Sequence, residues 1–229
     1  PENQAGAEKY WGCASTILAE VGLPREPVLH ICERKPDEPL RLVWTGLHIP
    51  RKALNLALKA LACVSSDVKW ELHILGEGRR TAAWQFLAKK LEIDAHCHFH
   101  GWLPREQALQ VMQKAHCMLI TSLRDLTSTV TVEALALGLP IICLDHCGFA
   151  GVVDDTCGIK IAVTTPDEVV AAMVKAVEQL ARNENRRQAL AHGALQRAHN
   201  YSWEEKGRVV DAIYREKVAH ATASKMDIA

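Results

Sequence analysis

The stretch from residue 116 to 149, HCMLITSLRDLTSTVTVEALALGLPIICLDHCGF, constrains the fold more than any other part of the chain. Residues 117–123 form an apolar run of strand length, and residues 140–144 form a second one. Between them, apolar residues recur at helical spacing from Val130 until Gly138 ends the helix. A strand, a loop, a helix and a strand in this order make a βαβ unit, which builds parallel sheets.

The same alternation continues on both sides of this stretch. Predicted strands cover residues 40–46, 69–75, 96–100, 117–123, 140–144 and 158–163, and each is followed by a loop or a helical pattern. The helices between and after them are predicted from residue 51 onward and over 80–91, 106–115, 166–180 and 185–199, and a loop is predicted over 145–148. We therefore predict an α/β fold with a doubly wound, mostly parallel, Rossmann-like sheet of about six strands. Such sheets bind ligands at the C-terminal ends of their strands.

The two ends of the chain carry weaker patterns. A helix is predicted over residues 7–20, a short apolar stretch over 27–32 and a linker over 33–39. Ser202 and Glu205 have the spacing of a capping box, which predicts a last helix from there to about residue 218 and a frayed tail from His220. Because position 1 is Pro, we expect this chain to be a piece of a longer one.

Composition excludes several classes of function. The 27 basic residues balance 27 acidic ones, so there is no basic footprint for nucleic acid. No apolar run reaches the roughly 20 residues of a membrane span, and no signal peptide is visible. Several of the eight cysteines lie in apolar runs, where a free thiol packs as a small buried group. These features predict a reduced, cytoplasmic protein.

Residues 96–100, with the sequence HCHFH, have the composition of a metal site. Successive strand residues point to opposite faces of a sheet, and no second Cys/His pair follows at a zinc-site spacing. Histidines on the surface of one strand face are therefore the preferred interpretation, and no metal is expected.

The loop before the central helix predicts an anion site. Thr127, Ser128 and Thr129 lie where that helix begins, and the unpaired N–H groups of a helix N-terminus bind phosphate. The alternative is that one hydroxyl simply caps the helix. Glu133 does not fit a capping box, and it follows Asp125 by eight residues, so two carboxylates frame this turn.

Lys52 falls near the start of the helix predicted from residue 51, with Pro50 before it. A cation there opposes the helix dipole by roughly 0.3–1 kcal/mol, a penalty that a bound phosphate would reverse. A solvated lysine on an exposed turn remains the alternative.

The central segment resembles the donor-sugar site of retaining GT-B glycosyltransferases, the group 1 or family 4 class. That pattern has two acids separated by seven residues, the second followed by Ala-Leu-Ala, then a Gly-x-Pro turn and a strand. This chain matches it with Asp125 and Glu133, with 134–136, and with Gly138 and Pro140. It departs from it in having Asp as the first acid, and Leu126 and Thr127 where small glycines are usual.

The resemblance also implies roles for loops after the other strands. In the family a Gly-Arg loop leads to a Lys that neutralises the donor diphosphate. Gly46 and Lys52 fit this, whereas Leu47 stands at the Arg position and Arg51 is its candidate substitute. The implied donor-binding residues are Gly46, Arg51, Lys52, Gly76, Gly78, Trp102 (stacking on the base), Leu103, Asp125, Thr127, Ser128, Thr129, Val130 and Glu133. For Trp102 the alternative is an indole that half-covers the core.

The resemblance further implies domain organisation and function. Residues 1–38 would be the end of a first domain and the connection, 39–200 the nucleotide-sugar domain, and 201–229 a helix crossing back with its tail. The chain would be half of a GT-B architecture and would bind a nucleotide-diphosphate sugar for transfer to an unknown acceptor. The partners would be the nucleotide-diphosphate sugar and a missing N-terminal domain of the same chain. That domain is where the resemblance places any peripheral membrane association. No cofactor is implied.

Within that function, Lys52, Asp125 and Glu133 are the candidate catalytic residues. Lys52 would offset leaving-group charge, Asp125 would hold hydroxyls of the transferred sugar, and Glu133 would hold the ribose; none is assigned as a nucleophile. Two alternatives stay open. One is a GT-B relative acting as an epimerase or phosphorylase, and the other is a non-catalytic Rossmann-like binding module, which the Leu47 and Leu126 departures motivate.

Overall fold

The computed structural model describes the backbone of residues 2–16, 21–23, 31–126 and 128–226, and side chains within residues 4–218 of those ranges. The predicted apolar stretch over 27–32 lies mostly outside the described residues, as does Thr127.

Six parallel strands form one sheet in the order β3-β2-β1-β4-β5-β6. The strands are β1 (Leu40–Thr45), β2 (Trp70–Leu75), β3 (Cys97–Gly101), β4 (Cys117–Ile120), β5 (Ile141–Leu144) and β6 (Gly158–Ile161). The strand order reverses between β1 and β4, as in doubly wound folds. The predicted fold class is therefore confirmed.

The helices cover both faces of this sheet. They are α1 (Glu2–Trp11), α2 (Leu54–Leu61), α3 (Thr81–Lys90), α4 (Arg105–Gln113), α5 (Thr129–Ala136), α6 (Cys147–Val152), α7 (Pro166–Arg182), α8 (Glu184–His199) and α9 (Trp203–Met226). Helix α2 packs against α3 and α7, and α5 packs against α8. Every residue of β4 and β5 is buried, because a parallel sheet between two helical layers has no solvated face at its centre.

The core follows the predicted helical faces. Leu54, Leu58 and Leu61 of α2 are at most 1% exposed, as their spacing predicted. Thr165 and Glu168 form a reciprocal capping box at the start of α7, with Pro166 at the first helical position. At the far end, the Glu205 amide donates to Ser202 Oγ at 3.1 Å, which is one half of the capping box predicted there.

Four predicted boundaries are wrong. Helix α1 ends at Trp11 rather than near residue 20, because Gly12 takes a left-handed conformation with φ +62°. The helix predicted from residue 51 is interrupted: Pro50–Lys52 is a short 3-10 turn, and Ala53, at φ +47°, separates it from α2. The loop predicted over 145–148 already contains the start of α6, and α9 continues through His220 to Met226.

The segment at Gly22 and Leu23 contacts the chain at the start of α9. Leu23 forms an isolated parallel bridge with Ser202, and its amide donates to the Tyr201 carbonyl at 2.8 Å. Gly22 lies under the Trp203 indole, where a Cβ would come within 2.7 Å of the ring. The segment before the sheet is therefore held against the segment that follows α8.

His116 joins the start of β1 to the entry of β4. It is fully buried, its Nδ1 accepts the Arg41 amide at 3.0 Å, and its own amide donates to the Arg41 carbonyl at 2.7 Å. Burial, with the nearby charges of Arg41, Arg187 and Arg34, lowers the pKa of His116 to about 3. The folded protein therefore keeps this imidazole neutral under mildly acidic conditions.

We expect His116 to make the protein acid-sensitive. The unfolded chain protonates this imidazole below about pH 6.5, whereas the folded state does so only near pH 3, so stability falls as pH drops through this window. The slope is at most about 1.4 kcal/mol per pH unit, the value for one proton. His116→Asn, whose amide oxygen keeps the acceptor, should flatten the pH dependence of urea unfolding. The exposed His199→Asn is the control, and equal slopes in the two variants would refute the assignment.

Candidate functional site

The loops after β1 and β2 are bonded to each other at the C-terminal edge of the sheet. The Gly46 amide donates to the Leu75 carbonyl at 3.1 Å, and the His48 amide donates to the Glu77 carbonyl at 3.0 Å. Gly76 has φ +107°, and a Cβ added to it would lie 2.1 Å from the Gly46 carbonyl oxygen. Glycine is therefore required here for the approach of two loops, independently of any ligand.

Lys52 and Asp125 meet across this edge. Their ammonium and carboxylate form an ion pair, and both side chains are about 15% exposed. The 3-10 turn that carries Lys52 is fixed from beneath, because the Thr121 hydroxyl donates to the Lys52 carbonyl at 2.8 Å and accepts from the Trp44 indole at 3.0 Å. Thr121 follows β4 directly, so the loops after β1 and β4 are held together at their base.

Arg51 approaches the same carboxylate. Its Nη1 donates to the Arg124 carbonyl at 2.7 Å and lies 3.5 Å from Asp125 Oδ1. Leu47, at the position where the sequence pattern has Arg, is 59% exposed. Arg51 thus supplies a second cation beside Lys52 from another position of the loop.

The Asp125 carboxyl is held in its ionised form. Partial burial alone would raise its pKa, but the hydrogen bond and charge of Lys52, with smaller effects of the Leu126 amide and Arg51, outweigh burial and lower the pKa below its usual value. The Asp125 amide donates to Cys147 Sγ at 3.3 Å, which ties this loop to α6. The pair is therefore ionic and fixed in place.

Helix α5 begins just after Asp125 and points its N-terminus toward this edge. Ser128 is its N-cap residue, and the Ser128 side chain makes no capping hydrogen bond. The alternative that this serine merely caps the helix is therefore not supported. The amides of Ser128, Thr129 and Val130 are at the end of the helix that carries partial positive charge.

Glu133 lies on the first turns of α5 and is paired with Arg105, the first residue of α4. Arg105 Nε and Nη2 donate to Glu133 Oε1 at 3.0 and 2.8 Å. The Glu133 side chain is 12% exposed, whereas that of Arg105 is 63% exposed. The Glu133 carboxylate is therefore fixed in place, and the Arg105 guanidinium lies at the surface. Arg105 could not be predicted from the sequence, because its pairing with α5 has no local signature.

The remaining predicted residues lie on the same edge with fewer contacts. Trp102 is 67% exposed after β3, and the neighbouring Leu103 packs against the core. Gly78 is bonded to Thr81, whose hydroxyl also contacts His48 Nδ1 at 2.8 Å. His48, which has no signal in the sequence, is fully buried among Trp44, Trp84 and Phe99, and burial lowers its pKa. It supports the loop after β1 from inside.

Taken together, the edge presents two cations, a helix N-terminus and two carboxylates. Cations and free amides bind phosphate oxygens, and carboxylates accept hydrogen bonds from hydroxyl groups. Such a site suits a ligand with an anionic centre between hydroxyl-bearing groups.

Comparison with known proteins identifies one family. The model of the family described as "Glycosyl transferases group 1" matches residues 31–197. Among similar proteins, the lipopolysaccharide glucosyltransferase WaaG of Escherichia coli K12 is 26% identical over 170 residues, which are 73% of this chain and 40% of that protein. A D-inositol 3-phosphate glycosyltransferase of Corynebacterium kroppenstedtii is 29% identical over 140 residues, 61% of this chain and 30% of that protein. This chain thus spans less than half the length of these relatives.

Solved structures show the same fold. The crystal structure of WaaG aligns with a TM-score of 0.64 at 25% identity, over 75% of this chain and 46% of that one. The pneumococcal O-GlcNAc transferase GtfA, solved with UDP and GlcNAc, aligns with a TM-score of 0.75 at 16% identity, over 94% of this chain and 43% of that one.

The contact between the first two loops makes Gly76 a sensitive position. Gly76→Ala should cost at least about 3 kcal/mol of unfolding free energy, because the new Cβ meets a backbone carbonyl that cannot retreat without moving β1. Gly101→Ala is the matched control: it also has positive φ (+70°), but nothing lies within 4 Å of its Cβ position, so about 1 kcal/mol is expected. Equal losses in chemical unfolding would contradict the close-approach argument.

Proposed function

This chain belongs to the group 1 glycosyl transferase family, and from that premise we propose that it binds the nucleotide-diphosphate sugar from which a sugar is transferred. The observation that carries the proposal is the Lys52–Asp125 ion pair beside the N-terminus of α5. The pair lies on loops after β1 and β4, the two strands between which the sheet order reverses. Open α/β sheets bind their ligands at this switch point.

The diphosphate would lie against Lys52 and Arg51. Charge builds up on this leaving group as the glycosidic bond breaks, and fixed cations stabilise it most when they need no rearrangement. Lys52 is held by the Thr121 contact below it, and Arg51 by the Arg124 carbonyl. Arg51 would thereby supply the positive charge that the family pattern places at position 47, where this chain has Leu. A cation at this place favours a donor site over a non-catalytic binding module.

The amides of Ser128, Thr129 and Val130 would hold the distal phosphate, together with Thr127. A phosphate at this position gains both hydrogen bonds and the favourable end of the helix dipole. Asp125 would then grip hydroxyls of the sugar, since donor phosphate takes its place beside Lys52. Donor binding therefore exchanges one partner of Lys52 for another and releases an acid toward the sugar.

Glu133 would bind the ribose hydroxyls. Arg105 already contacts its Oε1, which fixes the carboxylate in position before ligand arrives. Trp102, exposed after β3, would cover the nucleotide base, and Gly46, which has no side chain, would let the backbone approach the donor closely. UDP is the first nucleotide to test, since GtfA was solved with UDP.

The transfer would retain anomeric configuration, with the acceptor attacking on the leaving-group face and no enzyme nucleophile. Lys52 and Arg51, rather than a metal, would offset the diphosphate charge. The acceptor site would belong to a separate N-terminal domain. This chain alone would therefore bind the donor weakly and would not catalyse sugar transfer. Peripheral membrane association would also run through that domain.

Helix composition and the state of the cysteines bear on where the protein is located. Within the described residues, no helix is both long and apolar enough to cross a membrane. All eight cysteines are free thiols, two of them exposed, as expected of a reduced compartment. We therefore propose a cytoplasmic location.

Lys52→Ala should weaken binding of both UDP and inorganic pyrophosphate at least about tenfold in calorimetric titrations, because a charge-assisted contact to phosphate is lost. Lys59→Ala, which removes an exposed lysine of α2, is the matched control and should bind as the parent does. No heat from UDP or GDP with the parent chain, at concentrations far above millimolar affinity, would end the donor-site proposal.

Glu133→Gln should separate the ribose contact from the phosphate contact. It should weaken UDP about tenfold and leave pyrophosphate binding unchanged, because pyrophosphate has no ribose to lose. Glu106→Gln on the exposed surface of α4 serves as the control. A loss for both ligands would mean that Glu133 acts through the fold of α5 rather than on ribose.

A further inference from the structure

A cluster of three imidazoles and one carboxylate lies on the face of the sheet near its β3 edge. Glu71 and His73 are on β2, and His98 and His100 are on β3. One ligand atom each from Glu71, His73 and His98 lies within 4.8 Å of the others. The rings of His73 and His98 are stacked with centroids 5.0 Å apart, and those of His73 and His100 with centroids 5.3 Å apart.

Parallel pairing explains why these side chains meet. His73 is the register partner of His98, and residues two apart on a strand project from the same face. The neighbouring Leu72, Ile74 and Cys97 point to the other, buried face. The His-rich sequence of β3 is therefore completed by two residues of β2 that lie about 25 positions earlier.

One hydrogen bond orients the central ring. His73 Nδ1 and His100 Nε2 are 3.0 Å apart, while His73 Nε2 faces Glu71 Oε2 at 3.9 Å. Ligating histidines generally use their second ring nitrogen in an outer hydrogen bond that fixes the tautomer. With Nδ1 engaged by His100, Nε2 of His73 is the nitrogen directed toward Glu71.

The side chains also have the chemistry that a metal site requires. Glu71 offers a carboxylate oxygen beside the imidazole nitrogens of His73 and His98. Imidazole nitrogen with carboxylate oxygen is a ligand set that divalent zinc accepts.

We propose that Glu71, His73 and His98 bind a divalent transition-metal ion, and zinc is the ion to test. His100, which does not bind the ion, would orient the His73 ring through their hydrogen bond. Ligand distances of about 2.0–2.2 Å place neighbouring ligand atoms roughly 3.3 Å apart in a tetrahedral site, which small rotations of the exposed His98 and Glu71 side chains can reach. Three protein ligands leave a fourth position for water. The ion would tie edge strand β3 to β2.

This site is independent of the proposed donor site. Its ligands are on strands and project from a sheet face, whereas the donor residues are on loops beyond the strand ends. A failure to bind nucleotide would therefore not count against the metal site, and a failure to bind zinc would not count against the donor site.

Thermal unfolding of the full chain, purified without a polyhistidine tag, with and without zinc chloride tests the proposal. At zinc concentrations about 100-fold above the dissociation constant, the melting temperature should rise by roughly 5–10 °C. The rise should disappear in His98→Ala and in Glu71→Gln, both at exposed or half-exposed positions. His192→Ala, which removes an exposed histidine of α8, is the matched control and should keep it.

Imidazole NMR signals supply a readout at the site itself. Substoichiometric zinc should shift the signals of His73 and His98 and leave those of His192 and His199 unchanged. Thiols such as Cys13 and Cys63 are exposed and also bind zinc. If zinc stabilises His98→Ala as strongly as the parent, or if the cluster signals do not move, the ion binds elsewhere and the proposal is overturned.

Discussion

The contact between Lys52 and Asp125 depends on one topological constraint, the reversal of strand order between β1 and β4. Because the connections on either side of that point run to opposite faces of the sheet, the two chain segments diverge above the strand ends. The loops after β1 and β4 therefore face each other across a crevice. Thr121 pins the base of one loop to the other, and the ion pair closes the gap above it. The strand order creates this crevice, and its two charges come from Lys52 and Asp125, which are 73 positions apart in the sequence.

The loops of the proposed donor site are held together by backbone contact. Gly76 lets the loop after β2 touch the Gly46 carbonyl, and His48 is buried under the same turn. The turn that carries Lys52 is thus supported by packing rather than by a long helix, since Ala53 separates it from α2. A lysine on the first turn of a helix would move with that helix. Here it is set by the sheet edge itself.

Much of the fold was predictable from the sequence, and the exceptions have physical reasons. Strands β4 and β5 are fully apolar runs because both faces are buried, and the spacing of Leu54, Leu58 and Leu61 matches the buried face of α2. The left-handed Ala53 had no signal, since alanine usually continues a helix. The placement of Asp125, Glu133 and Lys52 on one edge followed from parallel strands, whereas Arg105 and His48 depend on contacts between distant segments. Likewise, HCHFH indicated only surface histidines, because its partners Glu71 and His73 belong to another strand.

The ion pair also limits what the resting protein can do. Two charges that are each about 15% exposed attract strongly, yet each has lost much of its hydration, so the pair favours a fixed geometry more than it adds net stability. In the proposed donor complex, an incoming phosphate would bring more negative charge to Lys52 than Asp125 alone, and the amides of α5 would lie on its other side. Arg51, whose Nη1 lies 3.5 Å from Asp125 Oδ1, would hold the displaced carboxylate near the sugar. Under that proposal both charges stay paired before and after ligand binding, which would explain why a carboxylate stands in a site for an anion.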